Sequence, residues 1–238
     1  MKICLATTNP HKLEEVQAIF DATAPGSVTW TTLDQIQRDL QDSITDPVED
    51  QDTFEGNALL KARYYAQKTG LICLADDSGI EVDALDNRPG VKSARYSGVR
   101  GPRSKVDPAN NARLLEELAG KPDAERGARY VCAMALVIPA KPLSQTPAAQ
   151  SLQQPGEQDA HLIVRGELVG RILRPEEAAD PKNPQAGRGA NGFGYDPIVM
   201  LEGDRTAAEY TPAEKNAVSH RGHATRTLVT AMKKAGLL

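Results

Sequence analysis

The feature that most constrains the fold is the alternation of short apolar runs with helix-like patterns. Residues 3–7, 71–75, 130–138 and 161–165 are runs of β-forming residues, and we expect the last two to pair as a hairpin. The segments between the runs carry apolar residues at helical spacing. We expect one helix to start near Asp52 and stop at Gly70, another to open at Asp107 and Pro108, and a capping box of Thr211 and Glu214 to start a short helix. Strands that alternate with helices predict an α/β protein. We expect a mixed, twisted sheet with flanking helices that form two lobes around a central cleft.

Domain organisation follows from two polar segments. Residues 139–160 hold four prolines and five glutamines without an apolar period, and residues 174–192 form a second loop rich in glycine and proline. Neither break separates two self-sufficient cores. The 238 residues therefore predict one two-lobed domain with a flexible insertion at 139–160.

Charge and cysteine usage restrict the function classes. The chain has 28 basic and 32 acidic residues, a formal charge of −4, whereas a protein that docks on nucleic acid through phosphates usually has a basic surplus. The cysteines Cys4, Cys73 and Cys132 lack metal-ligand spacing and predict buried thiols in a reducing compartment. The first apolar run is too short for a signal peptide, and the longest covers only residues 130–140. We expect a cytoplasmic protein that contacts neither nucleic acid nor membrane.

A first candidate site lies where the first predicted strand meets the first predicted helix. Asn9 suits the N-cap, Pro10 suits the first helical position, and Lys12 falls in the first turn. Free backbone N–H groups, the helix dipole and this lysine favour a bound phosphate. An ordinary helix cap with an exposed lysine fits the same residues.

A second candidate site is the adjacent carboxylate pair Asp76 and Asp77, followed by Ser78 and Gly79. It comes directly after the predicted strand 71–75, where open α/β sheets bind ligands. Because successive side chains of an extended chain point to opposite faces, one carboxylate can orient while the other faces the site. Hard oxygen ligands beside phosphates favour Mg²⁺. A polar turn is the alternative, followed by a strand near residues 81–85.

Two further segments combine glycine, aromatic and basic residues. Gly192 and Gly194 flank Phe193, so a ligand ring can approach this aromatic closely, although a tight turn covering the core is equally ordinary. Residues 214–221 hold Lys215, His220 and Arg221, which point apart on one continuous helix. A backbone break near Ser219 lets the three side chains face one pocket, whereas an unbroken helix would be a solvated basic face.

Taken together these segments resemble the noncanonical purine nucleoside triphosphate pyrophosphatases, the inosine/xanthosine triphosphatase family. The matching blocks occur in the family's order and cover nearly the whole chain. They are residues 6–15, 53–62, 75–79, 89–96, 192–197, 215 and 219–221. The 139–160 insertion and the long 174–190 loop depart from the family pattern without interrupting a block.

The resemblance implies a Mg²⁺-dependent homodimer that hydrolyses ITP, dITP and XTP to the monophosphate and pyrophosphate. It implies that Asp77 is the proton acceptor and a metal ligand, and that Lys12 neutralises phosphate charge. The residues implied in nucleotide binding are Thr7, Thr8, Asn9, Pro10, His11, Lys12, Ser78, Phe193, Gly194, Tyr195, Asp196, Lys215, His220 and Arg221.

A second metal carboxylate is expected before Thr53. Glu49 is preferred, with Asp46, Asp50, Asp52 and the paired Asp76 as alternatives. Physically, water attack on phosphorus needs charge neutralisation and in-line positioning. Donors such as His220 and Arg221 would favour a 6-keto purine over adenine.

Two rival functions use the same residues. One is a nucleotide sensor that binds without turnover, and the other is a pyrophosphatase for a different modified nucleotide. Closely spaced carboxylates beside a lysine favour catalysis over binding alone. Measuring turnover of different nucleotides distinguishes the two rival functions.

Overall fold

The computed structural model describes residues 1–7, 9–40, 44–140 and 159–238, with residues 11, 39 and 40 by backbone alone. Thr8 and residues 141–158 of the predicted insertion lie outside the described residues. Within that part of the chain, the strands are β1 Lys2–Leu5, β2 Thr29–Thr32, β3 Ile72–Val82, β4 Gly127–Pro139, β5 Asp159–Ile172, β6 Val199–Leu201 and β7 Arg205–Thr206. The helices are α1 Pro10–Thr23, α2 Leu33–Leu40, α3 Phe54–Thr69, α4 Arg103–Glu117, α5 Pro212–Val218 and α6 His220–Lys234.

The strands form one sheet in the order β2-β1-β3-β4-β5-β6-β7. β1 pairs in parallel with β2 and β3, whereas β6 pairs antiparallel with β5 and β7. The predicted mixed α/β sheet with flanking helices is therefore confirmed. Adjacency of β4 and β5 confirms the predicted pairing of these strands, which extend beyond the predicted limits.

Contacts divide the chain into two compact units. The first comprises Met1–Asp77, Cys132–Gly166 and Arg221–Leu238, and the second comprises Ser78–Val131 and Glu167–His220. Each unit has its own apolar core. Phe20, Leu74 and Met134 belong to the first core, and Ile80, Leu114 and Ile198 to the second. Burial of such side chains is the largest favourable contribution to the folding of each unit.

Three local predictions are confirmed. α1 begins at Pro10, α3 ends at Gly70 in the left-handed conformation, and α5 is separated from α6 by Ser219. The extended backbone of Ser219 ends α5, which has the predicted capping box of Thr211 and Glu214. α3, predicted to start near Asp52, begins at Phe54. The Thr53 side chain accepts the N–H of Gly56, so Thr53 rather than Asp52 is the N-cap.

The alternative interpretation of residues 76–79 as a polar turn is wrong. β3 runs without a break through these residues, and residues 83–85 form a short 3₁₀ turn rather than the end of a second strand. Gly79 serves close packing here, since a Cβ would lie 2.3 Å from Ser93 Oγ. The carboxylate pair therefore lies within a buried strand rather than beyond its end.

The predicted helix start at Asp107 and Pro108 is also wrong. α4 begins four residues earlier, at Arg103, and Pro108 lies inside it. The Asp107 carboxylate accepts the backbone N–H of Gly194 at 2.9 Å instead of capping a helix. This long-range hydrogen bond outweighs the local signal.

The three cysteines are buried free thiols, as predicted. No helix among the described residues is long and apolar enough to cross a membrane.

A buried arginine joins three backbone segments of the second unit. Arg126 is 2% exposed, and its guanidinium donates to the carbonyl oxygens of Leu118, Ile172 and Leu173 at 2.7–2.9 Å. We expect Arg126→Ala to lower the free energy of unfolding by about 3–5 kcal/mol, because three carbonyls lose their donor and a cavity remains. Urea unfolding measures this change.

Arg129→Ala is the matched control. Arg129 lies in the following strand and pairs with Glu81 and Asp83, but its side chain is 30% exposed. Partly solvated ion pairs contribute little, so its loss should cost less than about 1 kcal/mol. An equal decrease in the free energy of unfolding for both variants would contradict the stabilising role of the three Arg126 hydrogen bonds.

Candidate functional site

About half of the predicted site residues lie in two clusters, one in each unit. The carboxylate cluster of the first unit consists of Glu49, Asp76 and Asp77 with the cations Lys12, Lys61 and Arg221. The aromatic loop of the second unit consists of residues 192–196.

Asp76 lies between two cations. Its Oδ2 is 2.9 Å from Lys12 Nζ and 3.6 Å from Arg221 Nε, and the carboxylate is 6% exposed. Burial by itself raises the pKa of Asp76, but Lys12, Arg221 and Lys61 outweigh burial and hold this pKa well below its usual range. Asp76 is therefore a fixed anion that positions the lysine and the arginine.

Asp77 has the opposite electrostatic environment. Asn57 Nδ2 donates to its Oδ2 at 3.0 Å, and Lys61 Nζ is 3.8 Å from Oδ1. Burial raises the pKa of Asp77, Lys61 lowers it and Glu49 raises it, with a net increase above the usual value. A carboxylate with a raised pKa is suited to accept a proton.

Glu49 is linked to Asp77 through a shared lysine. Its Oε1 is 3.2 Å from Lys61 Nζ, the same ammonium that contacts Asp77. Asp46 instead accepts the hydroxyl of Tyr65, Asp50 accepts the side-chain amide of Gln51, and Asp52 is exposed. The geometry therefore favours Glu49 as the second carboxylate.

Sequence reasoning missed two residues of α3 as site residues, Asn57 and Lys61. They are one helical turn apart, so they share a face, and both contact Asp77. Fully buried Asn57 also accepts the backbone N–H of Gln51 at 3.0 Å and so ties the segment after Glu49 to α3. The signal available in the sequence was the i, i+4 spacing of an amide and a lysine, which places both on one side of a predicted helix.

The predicted phosphate loop has the expected strand-to-helix form. The backbone N–H of Asn9 donates to Thr7 Oγ1 at 3.2 Å, and Pro10 begins α1. Lys12 follows in the first turn and reaches Asp76. Thr8 and the side chain of His11 lie outside the described residues.

A buried carboxylate organises the aromatic loop. Asp196 Oδ2 accepts the backbone N–H of Phe193 at 2.8 Å and Lys215 Nζ at 2.6 Å, and Oδ1 accepts the Tyr130 hydroxyl at 3.0 Å. Gly192 has φ +78°, and a Cβ there would meet Asp196 Oδ2 at 2.0 Å. The glycine therefore permits the turn that closes the loop over Asp196.

Tyr130 extends this cluster to His220. The Tyr130 ring stacks on the His220 imidazole with 4.9 Å between centroids, and Lys215 Nζ lies 5.2 Å from the Phe193 ring centroid. Lys215 and His220 thus converge on one cluster because the helix breaks at Ser219, as the sequence predicted. Tyr130 was missed, since its strand position resembles that of any core tyrosine.

Arg221 behaves differently from its neighbour His220. It is 1% exposed and pairs with Glu15 and Asp76, so its guanidinium belongs to the carboxylate cluster. The sequence-based expectation that it faces the same pocket as Lys215 has no support among these contacts.

α4 holds the aromatic loop from another side. Asp107 accepts the N–H of Gly194 at 2.9 Å, and Asn111 Nδ2 donates to its carbonyl at 3.2 Å. The Tyr195 hydroxyl donates to the Ser93 carbonyl at 2.8 Å, which turns this side chain toward the core. Phe193 remains partly exposed, as does Ser78 in β3.

Known proteins resemble the chain over nearly its full length. A dITP/XTP pyrophosphatase of Nocardia farcinica is 41% identical over 97% of this chain and 94% of its own length. A dITP/XTP pyrophosphatase of Frankia alni is 41% identical over 98% of both chains. The structure of a HAM1 protein from Coxiella burnetii has a TM-score of 0.73 and 34% identity, covering 98% of this chain and 99% of that one.

A profile of the Ham1 family matches residues 3–231. The predicted resemblance is thereby confirmed: the chain belongs to the Ham1 family.

Proposed function

We propose that the chain hydrolyses the noncanonical purine nucleoside triphosphates ITP, dITP and XTP to the monophosphate and pyrophosphate in a Mg²⁺-dependent reaction. Family membership and relatives named dITP/XTP pyrophosphatase support this reaction. Removing such nucleotides would cleanse the precursor pool for nucleic-acid synthesis.

The observation that carries the proposal is the contrast between Asp76 and Asp77. Asp76 lies 2.9 Å from Lys12 Nζ and 3.6 Å from Arg221 Nε, whereas Asp77 accepts Asn57 Nδ2 at 3.0 Å and lies 3.8 Å from Lys61 Nζ. These surroundings displace the pKa values of the two adjacent carboxylates in opposite directions. Such divergence is how a site assigns distinct roles to similar groups. Asp76 fixes Lys12 and Arg221, and Asp77 accepts the proton of the attacking water.

We assign the phosphate groups to the N-terminus of α1 and to two lysines. Residues 7–12 offer hydroxyl groups, backbone N–H groups and the positive end of a helix dipole. Lys12 and Lys61 add two ammonium groups, which pair with Asp76 and Glu49 respectively. Ser78, which follows Asp77 in the chain and is partly exposed, is assigned to substrate contact.

We assign the purine to the aromatic loop. Partly exposed Phe193 offers a face for base stacking. The loop is fixed by two hydrogen bonds, from the Phe193 N–H to Asp196 and from the Tyr195 hydroxyl to the Ser93 carbonyl. His220 is assigned as the donor that meets a 6-keto oxygen, since a 6-amino group would leave two donors facing each other. Arg221 is assigned to positioning Asp76.

The donor set fits a magnesium ion. Asp77 and Glu49 share Lys61, and their mutual repulsion contributes to the raised pKa of Asp77. Among the described residues, no group of three or more histidine, cysteine or acidic side chains is arranged to hold a metal ion. Mg²⁺ commonly binds one or two carboxylates and completes its coordination with water and substrate phosphates. Mg²⁺ held by Asp77 and Glu49 would neutralise phosphate charge.

Glu49→Gln tests this metal assignment. We expect the Mg²⁺ concentration for half-maximal activity to rise at least about tenfold, because even outer residues of metal sites commonly change affinity by this factor. Titrating Mg²⁺ at saturating ITP measures the change. Asp46→Asn is the control, since Asp46 is bonded to Tyr65, and it should leave the requirement unchanged. If only Asp46→Asn raised the Mg²⁺ concentration for half-maximal activity, Asp46 rather than Glu49 would be the metal ligand.

Assembly and location complete the proposal. We propose a homodimer, which light scattering would detect as about twice the monomer mass. A cytoplasmic location agrees with three buried free thiols.

Incubation with ITP separates the enzyme from its rivals. With Mg²⁺ we expect inosine monophosphate and pyrophosphate in equal amounts, no orthophosphate, and complete loss of turnover in excess EDTA. Binding of ITP without turnover would instead favour a nucleotide sensor. Preferential turnover of modified pyrimidine triphosphates would favour the second rival.

A further inference from the structure

An arginine outside the matching sequence blocks lies against the aromatic loop. Arg103, the first residue of α4, places its guanidinium carbon 5.0 Å from the centroid of the Phe193 ring. This is a cation–π distance. The Arg103 side chain is 55% exposed, so it is accessible to a ligand.

A cavity of about 310 Å³ adjoins Arg103 within the second unit. Its size lies at the lower end of small-molecule sites. Its charged walls are Arg100, Arg103 and Asp107, two cations against one carboxylate. That carboxylate is engaged, since it accepts the Gly194 N–H at 2.9 Å and lies 3.7 Å from Arg103. The cavity therefore has positive character.

The second cation near Phe193 has a different environment. Lys215 Nζ is 5.2 Å from the ring centroid, but it donates to Asp196 at 2.6 Å and its side chain is only 9% exposed. Because that carboxylate offsets its charge at close range, Lys215 contributes little net positive potential beside the ring. Arg103, with its carboxylate farther away, contributes more.

The bases of the proposed substrates differ in charge. The xanthine base of XTP loses its N3 proton below neutral pH and is largely anionic at neutral pH. The hypoxanthine base of ITP stays neutral under the same conditions. A positive charge beside the stacking ring therefore distinguishes two purines that share the 6-keto group.

We propose that Arg103 is a specificity-determining residue that favours xanthine over hypoxanthine nucleotides through the charge of its guanidinium. The inference rests on the proposed function, because it assigns the base to Phe193. It extends the site beyond the sequence blocks to the first turn of α4.

The test compares kcat/KM for XTP and ITP in the full-length protein. Arg103→Gln keeps side-chain length and removes the charge, so the XTP/ITP ratio should fall about fivefold, as for loss of an exposed charge pair. Arg103→Lys should restore most of the ratio. Lys105→Gln removes an exposed cation of the same helix that does not line the cavity, and should leave the ratio unchanged.

The pH dependence of the XTP/ITP ratio distinguishes an effect of the Arg103 charge from an effect of the side-chain shape. In the unmodified chain the XTP/ITP ratio should rise as xanthine deprotonates, and in Arg103→Gln this rise should be much smaller. An equal fall for both substrates, or an unchanged ratio, would overturn the assignment of Arg103. Failure of the unmodified chain to hydrolyse either nucleotide would overturn the proposed function itself, so the two failures are distinguishable.

Discussion

Asp77→Asn is expected to lower kcat for ITP by about 10²–10⁴-fold, the range over which a positioned general base accelerates proton transfer. The amide keeps the size of the carboxylate but cannot accept the proton of the attacking water. It also removes one of the two carboxylates proposed for Mg²⁺. Steady-state pyrophosphate release measures the loss, and thermal unfolding establishes that the variant is folded.

Asp86→Asn is the control for this substitution. Asp86 is exposed and has φ 53°, a backbone conformation that asparagine also adopts readily. We expect its activity to match that of the unmodified chain. If folded Asp77→Asn kept more than a tenth of the activity, Asp77 would not be the proton acceptor.

Asp196→Asn is expected to lower the free energy of unfolding by about 3–5 kcal/mol, the usual cost of breaking a buried ion pair. The neutral amide leaves the Lys215 ammonium without its carboxylate, and it offers one acceptor where Asp196 offers two. Because the Phe193 N–H loses its anchor, we also expect KM for ITP to rise about tenfold, or ~1.4 kcal/mol.

Denaturant unfolding and nucleotide kinetics together test this second prediction. Asp204→Asn is the matched control, because Asp204 is exposed at φ 56° in the same unit, and both quantities should stay unchanged. A variant with normal stability and a raised KM would make Asp196 a direct substrate contact. If neither the free energy of unfolding nor KM for ITP changed, Asp196 would have no role in the site.

The parts of the fold that follow from neighbouring residues were predictable. Pro10 starts a helix and Gly70 ends one because their φ preferences are local. The break at Ser219 followed from its capping chemistry, and it brings Lys215 and His220 to one cluster. These successes share one cause, which is that each signal acts within about one helical turn.

The errors arise where distant contacts outweigh local chemistry. Asp76–Gly79 has the composition of a turn, but β3 continues through it because Lys12, Asn57 and Ser93 pack against it. Asp107 has the composition of an N-cap, but Gly194, 87 residues away, takes its carboxylate. No local pattern encodes such contacts.

The candidate site divides in the same way. Asp77, Lys12 and the aromatic loop were identifiable from motifs, and Glu49 was preferred among four crowded acidic residues. Partnerships between residues were not identifiable. Arg221 pairs with Glu15 across 206 positions, and Tyr130 meets Asp196 across 66.

The most direct test of selective pyrophosphate release is a competition assay. The purified chain is incubated with Mg²⁺ and equal concentrations of ITP, XTP, ATP and GTP, and the nucleotides and both phosphate products are quantified together. We predict that ITP and XTP are consumed first, with one pyrophosphate released per nucleotide and no orthophosphate. Equal consumption of ATP and GTP, or release of orthophosphate, would contradict the proposed reaction and its selectivity.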